Sequence, residues 1–434
     1  MVRRIIISLS LMPLDSLPFE LLSEILDSTR DVETLHQCVL VCSTFKEAAL
    51  PSLYRTITLK TVHQMDEGLH FGALETLDKY VYLRPYVREV KFLFVLSDYA
   101  RRTRRTSSGY KVPQNIWVNS LAKLPNITSY TFCHIPFFSF PQSQNRFLPI
   151  PHEQIELTVA ALANCSLLDE LNLLYRATPS DISRLNHLKN VRSIRLGLPS
   201  REVLVAVRPW IEQCDSFSVR DAYALDSLAT IRPHVSNLSM LHIGPHHALS
   251  NRDLLQLLHC TSKLQELDLF YDNFLNVQLD ANITPTFQLN KDDRSSLGLK
   301  NLHKLVVRHQ GVSNKSQFME LFTWLEAVIS ASPLTSISIL SDDSRECNFA
   351  MPLINLLAKK PQLEFLNIPQ VVLRQPSLRT LFGRLNNLRV LSIMLVDVNV
   401  LALWTSALQT ERGGIDPLKD EYGLYSNATE EDGW

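Results

Sequence analysis

A six-residue apolar unit, Φ-x-x-Φ-x-Φ, returns along most of this 434-residue chain and restricts what it can fold into. Clear copies are Leu168-x-x-Leu171-x-Leu173, Val191-x-x-Ile194-x-Leu196, Leu238-x-x-Leu241-x-Ile243 and Leu264-x-x-Leu267-x-Leu269. Further copies are Leu302-x-x-Leu305-x-Val307, Leu334-x-x-Ile337-x-Ile339, Leu363-x-x-Leu366-x-Ile368 and Leu388-x-x-Leu391-x-Ile393, with weaker ones starting at Tyr54, Val87, Ile127 and Cys214. Well-formed neighbours are about 23–32 residues apart, stretching to about 40 where loops intrude. The last two apolar positions alternate around one outward residue, as in a short strand. The segments between units, such as Asp253–Leu258 and Phe322–Ile329, carry helical spacing. A strand and a helix per unit, repeated about eight to twelve times, is an α/β array in which each unit buries its leucines only against its neighbours. Stacking of this kind gives a core to a chain too long for one ordinary compact domain.

This array resembles the leucine-rich-repeat horseshoe, with short parallel strands inside and helices outside. The consensus Asn after the strand is mostly missing, so the turns are expected to be irregular. The resemblance implies a concave binding face built from the residues flanking the inner apolar pair. Those are Glu170 and Asn172, Ser193 and Arg195, Met240 and His242, Glu266 and Asp268, Lys304 and Val306, and Phe365 and Asn367. Their charges are mixed, which favours a protein partner over nucleic acid. A doubly wound α/β enzyme also alternates strand and helix, but it needs near-continuous apolar strands and a Gly-rich or catalytic turn, and neither is present.

Residues 14–59 read differently. Pro18 suits the first turn of a helix and Glu20 lies near its positive end. Leu21, Leu22, Ile25 and Leu26 follow one apolar face. Asp31 caps a second helix with an expected buried stripe of Leu35, Cys38, Val39 and Cys42. A third carries Phe45, Ala48 and Ala49 and is expected to stop at Pro51. Three such helices cannot bury all these groups among themselves, so another surface must cover some of them.

The pattern Leu17-Pro18-x-Glu20-Leu21-Leu22-x-x-Ile25-Leu26, followed by Val41-Cys42-x-x-Phe45, resembles the F-box. The resemblance implies that Leu17, Pro18, Leu21, Ile25, Leu26, Val41, Cys42 and Phe45 contact a Skp adaptor. Phe45 stands where many F-boxes have Trp, keeping the aromatic anchor without the indole N–H. Residues 48–55, Ala-Ala-Leu-Pro-Ser-Leu-Tyr-Arg, also resemble fungal F-box proteins in which the domain runs directly into the first repeat strand. The expected organisation is an arm at 1–13, the F-box at 14–53, the solenoid at 54–410 and an acidic, disordered tail at 411–434.

No catalytic spacing such as G-x-S-x-G, Walker A, H-E-x-x-H or G-x-G-x-x-G occurs. His246-His247 is expected to be a pair of solvated turn histidines. Seven scattered cysteines without a CxxC pair read as free thiols in a reducing compartment, and neither metal nor cofactor is expected. A net charge of −1 gives no reason to expect nucleic acid or an anionic membrane as partner. No apolar run approaches the roughly 18 residues of a membrane span. The Met1–Met12 segment lacks a small-x-small cleavage site, and the sequons at Asn126, Asn164, Asn237 and Asn282 are not read as signs of secretion. Cytoplasm and/or nucleus is therefore expected. Three stretches break the period: Ser97–Pro113 with basic residues 101–105, Ile135–His152 with an aromatic run, and Asn273–Leu297. The F-box resemblance implies a non-enzymatic substrate receptor, linked to cullin through the Skp adaptor and holding an unidentified protein. The alternative is a scaffold that binds the adaptor without delivering a substrate.

Overall fold

The first strand follows a three-helix module after two residues. The helices are α1 (Phe19–Ser28), α2 (Val32–Val41) and α3 (Ser43–Leu53). The computed structural model describes residues 17–29, 31–61, 63–64, 68–69, 72–95, 121–135, 152–220, 228–245, 247, 249–272, 299–310, 312, 314–341, 350–373 and 375–395. The expected arm, basic loop, third break, most of the aromatic run, His246 and the acidic tail lie outside these residues.

The module closes on Leu22, Leu26, Leu35, Phe45, Ala48 and Ala49, with Cys38, Val39 and Leu53 packed against them. Asp31 starts α2 by accepting from the Glu33 and Thr34 amides. The Thr34 hydroxyl also bonds to Asp31, and these bonds hold its carboxyl below the usual value. Pro51 does not stop α3, which runs on to Leu53. It sits in the last turn, where the missing N–H frees one carbonyl beside solvent rather than in a core.

Behind the module, twelve strands form one parallel sheet in chain order: β1 (Thr56–Thr61), β4 (Glu89–Val95), β5 (Ser129–Ile135), β6 (Glu170–Leu174), β7 (Ser193–Leu196), β8 (Ser216–Val219), β9 (Met240–Ile243), β10 (Glu266–Asp272), β11 (Lys304–Gln310), β12 (Ser336–Ser341), β13 (Phe365–Leu373) and β14 (Val390–Leu395). A small antiparallel pair, β2 (His63–Gln64) and β3 (Gly68–Leu69), follows β1. All twelve apolar units, the four weak ones included, supply a strand. The inward row Ile57, Val90, Tyr130, Leu171, Ile194, Phe217, Leu241, Leu267, Leu305, Ile337 and Leu366 is buried throughout. Each such side chain contributes roughly 1.5–3 kcal/mol.

Two devices set the repeat-to-repeat register. Just before each strand one carbonyl accepts two consecutive amides of the next repeat, as Asp169 O does from Arg192 and Ser193. The same arrangement runs unbroken from Arg55 O to Glu364 O. Asparagines before the first apolar position form the second device. Asn126, Asn190, Asn237, Asn301 and Asn387 each donate their amide to a carbonyl of the preceding repeat, at 2.8–3.1 Å. Gly244 allows the closest approach, because a Cβ there would lie 1.6 Å from the Arg220 carbonyl oxygen.

The helices opposite the sheet begin at sequence-encoded caps. Thr178 and Asp181 form a capping box, as do Asn314 and Gln317, while Ser200 and Ser250 each accept an N3 amide. His247 is buried, not solvated: Nε2–H donates to Phe270 O at 2.7 Å and Nδ1 accepts from Leu249 N at 3.0 Å. It fastens the turn after β9 to the end of β10.

Candidate interaction surfaces

The eight module residues singled out from the sequence separate into two groups. Leu26 and Phe45 are buried and belong to the module's own core. Leu21 (48% exposed), Ile25 (46%) and Val41 (66%) stand in solvent, as do Pro18 and Cys42, while Leu17 is half-buried. Cys42 therefore leaves the expected buried stripe of α2. Leu21 and Ile25 lie one helical turn apart, about 100° round α1 from the buried pair Leu22 and Leu26. Phe19, Val32 and Leu40 are exposed too, though the motif had not singled them out.

The module is attached through shared packing. Leu50 and Tyr54 at the end of α3 pack on the solenoid core. Arg55 reaches Asp27 of α1 at 3.1 Å and Glu89 of β4 at 3.4 Å.

On the open face of the sheet, parallel register draws the expected concave residues into two rows. Glu170, Ser193, Ser216, Met240, Glu266, Lys304, Ser336 and Phe365 form one; Asn172, Arg195, Ser218, His242, Asp268, Val306, Ser338 and Asn367 form the other. Their environments differ. Asn172 is buried, its amide donating to Thr131 Oγ1 at 3.1 Å and Ser129 Oγ at 3.4 Å. It ties β6 to β5. Lys304 meets Glu266 directly across the ladder at 2.8 Å. Asp268 lies 3.1 Å from His242 and 2.7 Å from Arg308. Burial pushes its carboxyl up, but the hydrogen bonds and charges of His242 and Arg308 outweigh that and hold it below its usual value. Ionic groups on β9–β11 thus neutralise one another, while Arg195 on β7 remains exposed.

Two further arginines, Arg176 and Arg220, are exposed just past the ends of β6 and β8. Extending the strand alternation one residue beyond Val219 would have found Arg220. Its charge partly offsets the upward effect of burial on the Cys133 thiol of β5. Burial pushes the Cys214 thiol up to about 12, so this cysteine behaves as a core side chain. The six described cysteines are free thiols, and no metal-binding cluster occurs among the described residues.

The family model described as F-box-like matches residues 14–60. The chain is an F-box-like module on a leucine-rich-repeat-type solenoid. No curated protein matches the sequence. Solved structures similar to it include a leucine-rich-repeat protein of Leptospira interrogans (11% identity, 80% of this chain and 87% of that one, TM-score 0.27). The Rad7 and Elc1 complex in yeast (14%, 88% and 94%, 0.36) and the Toll–Spatzle complex of Drosophila (11%, 79% and 44%, 0.34) are others. At these scores the fold assignment rests on the parallel register above. The F-box-like match runs past α3 into β1, so the module and the first repeat strand fall within one family pattern. No described helix is long and apolar enough to cross a membrane.

Proposed function

We propose that this chain is the substrate-recognition subunit of a Skp–cullin–F-box E3 ubiquitin ligase. The observation that carries the reading is the F-box-like module's exposed aliphatic surface, present although the module's own core is complete. Leu21, Ile25 and Val41, with Leu40 beside Val41, are each more than two-fifths exposed. A surface of this kind is stable when an apolar groove of a partner covers it. The Skp adaptor is that partner, with Pro18 and Cys42 at its margin and Leu17 half-buried at the entry to α1. Cullin joins through the adaptor.

The open face of the solenoid holds a protein substrate through Glu170, Arg195, His242, Glu266, Asp268, Lys304 and Phe365. The chain itself does no chemistry and uses neither cofactor nor metal. It acts in the cytoplasm and/or nucleus by keeping the substrate near the transferring subunit, so that a bimolecular step becomes effectively intramolecular.

The test pairs Leu21→Asp with Ile25→Asp in the full chain. Wild type should capture the Skp adaptor, and the double variant should lose it while keeping its circular dichroism spectrum. Cullin inhibition should then raise the level of the solenoid-bound protein. Absence of adaptor capture by the wild type would overturn the reading.

A further inference from the structure

The open face carries two kinds of charge, and the difference lies in pairing. On β9–β11, His242, Asp268 and Arg308 form one set and Glu266 and Lys304 another. On and just past β6–β8, the side chains of Arg176, Arg195 and Arg220 are exposed and make no hydrogen bond or ion pair among the described residues. Arg195 lies in register between Asn172 and Ser218, both neutral. Arg220 continues β8, its amide bonded to Leu196 O, and Gly197 and Gly244 on either side leave it without flanking side chains. From there its charge is felt at Cys133, three strands away. Among the described residues Glu170 is the one carboxylate within β6–β8, one strand and one row from Arg195.

We infer that Arg195 and Arg220, with Arg176 at the margin, receive an extended, carboxylate-rich segment of the bound protein. This rests on the receptor reading and adds the chemistry of the partner. Strand spacing and rise place the Arg195 and Arg220 Cα atoms about 8 Å apart. Same-side residues of an extended peptide repeat at roughly 7 Å, so two acidic side chains at i and i+2 each meet a guanidinium. Unpaired arginines are the ones available for this, because no internal ion pair has to break first. The serines and threonines of β5–β8 give the peptide neutral surroundings, and Glu170 sets a limit to the acidic stretch on the side of the strand N-termini.

The experiment is a fluorescence-anisotropy titration of the full chain with a labelled peptide of alternating Glu and Ser, and with its Gln counterpart. The Glu peptide should bind at least tenfold tighter, with the advantage shrinking as salt rises. Arg195→Gln with Arg220→Gln should abolish that advantage, whereas Lys359→Gln, at an ion pair with Glu326 on the helical side of the solenoid, should change it less than twofold. Equal binding of the two peptides, or equal losses in all variants, would overturn the inference. So would a neutral peptide bearing one phosphoserine that binds tenfold tighter than the Glu peptide, because the site would then be built for phosphate. Adaptor capture is measured on the same samples. Capture without acidic-peptide binding removes this inference alone, and peptide binding without capture removes the receptor reading.

Discussion

Leucines and isoleucines have opposite fates in the two parts of this molecule. In the solenoid every inward position of the sheet finds a neighbour, because each repeat covers the one before it. In the F-box-like module three short helices close around six buried side chains, and the rest of their aliphatic surface stays in water. The solenoid's apolar residues supply stability, whereas on the proposed function those exposed on the module supply affinity for the adaptor. Substitutions of similar size should therefore be read by different assays in the two regions.

The largest effect should follow Phe217→Ala in the middle of the sheet. It should cost about 3–5 kcal/mol in chemical denaturation, with adaptor capture intact at low temperature. Phe45→Ala comes next. It should melt the module, at a local cost of about 3 kcal/mol, and lose the adaptor together with helical signal in hydrogen exchange. Leu21→Asp with Ile25→Asp should weaken the adaptor complex by at least about 2 kcal/mol in calorimetric titration yet move global stability by less than about 0.5 kcal/mol. A large fall in stability from this pair would erase the contrast between the regions.

Smaller effects sharpen the comparison inside the solenoid. Asn190→Ala removes one link between neighbouring repeats, its bond to Ser166 O, and should cost about 1 kcal/mol in the same denaturation assay. Asp268, whose folded carboxyl lies below its unfolded value, contributes stability that is fully present above about pH 4 and is lost as pH falls through the folded value. Between pH 5 and pH 3, Asp268→Asn should therefore lose less stability than wild type, by about 1 kcal/mol or less.

The alternation Φ-x-Φ made the strands legible even where Tyr130, Phe132 or Phe217 replaced the usual aliphatics, because an aromatic ring fills the same inward slot. The module's helices were legible as helices but not as faces. Leu21, Leu22, Ile25 and Leu26 occupy so wide an arc of α1 that spacing alone cannot say which pair α3 will cover. Ala48 and Ala49 decide it, since their small side chains let α3 close on Leu22 and Leu26. Pairing among His242, Asp268, Glu266 and Lys304 depends on register across a step of irregular length, which no single segment encodes. The asparagines before the first apolar position lie outside the repeating apolar pattern, and their role as links between repeats shows only in the structure. Arg176 and Arg220 lay just outside the units and were passed over.

Arg55, Leu50 and Tyr54 bind the module to the first repeats, with no free hinge between α3 and β1. If the chain is the receptor proposed above, this junction makes it a ruler: with the adaptor at one end and the substrate segment at a chosen strand, strand count would fix the offset to the ubiquitin-bearing subunit. The substrate lysine modified would then be decided by its distance from the bound segment, and lengthening the Tyr54–Arg55 junction should change the lysine chosen before it changes binding.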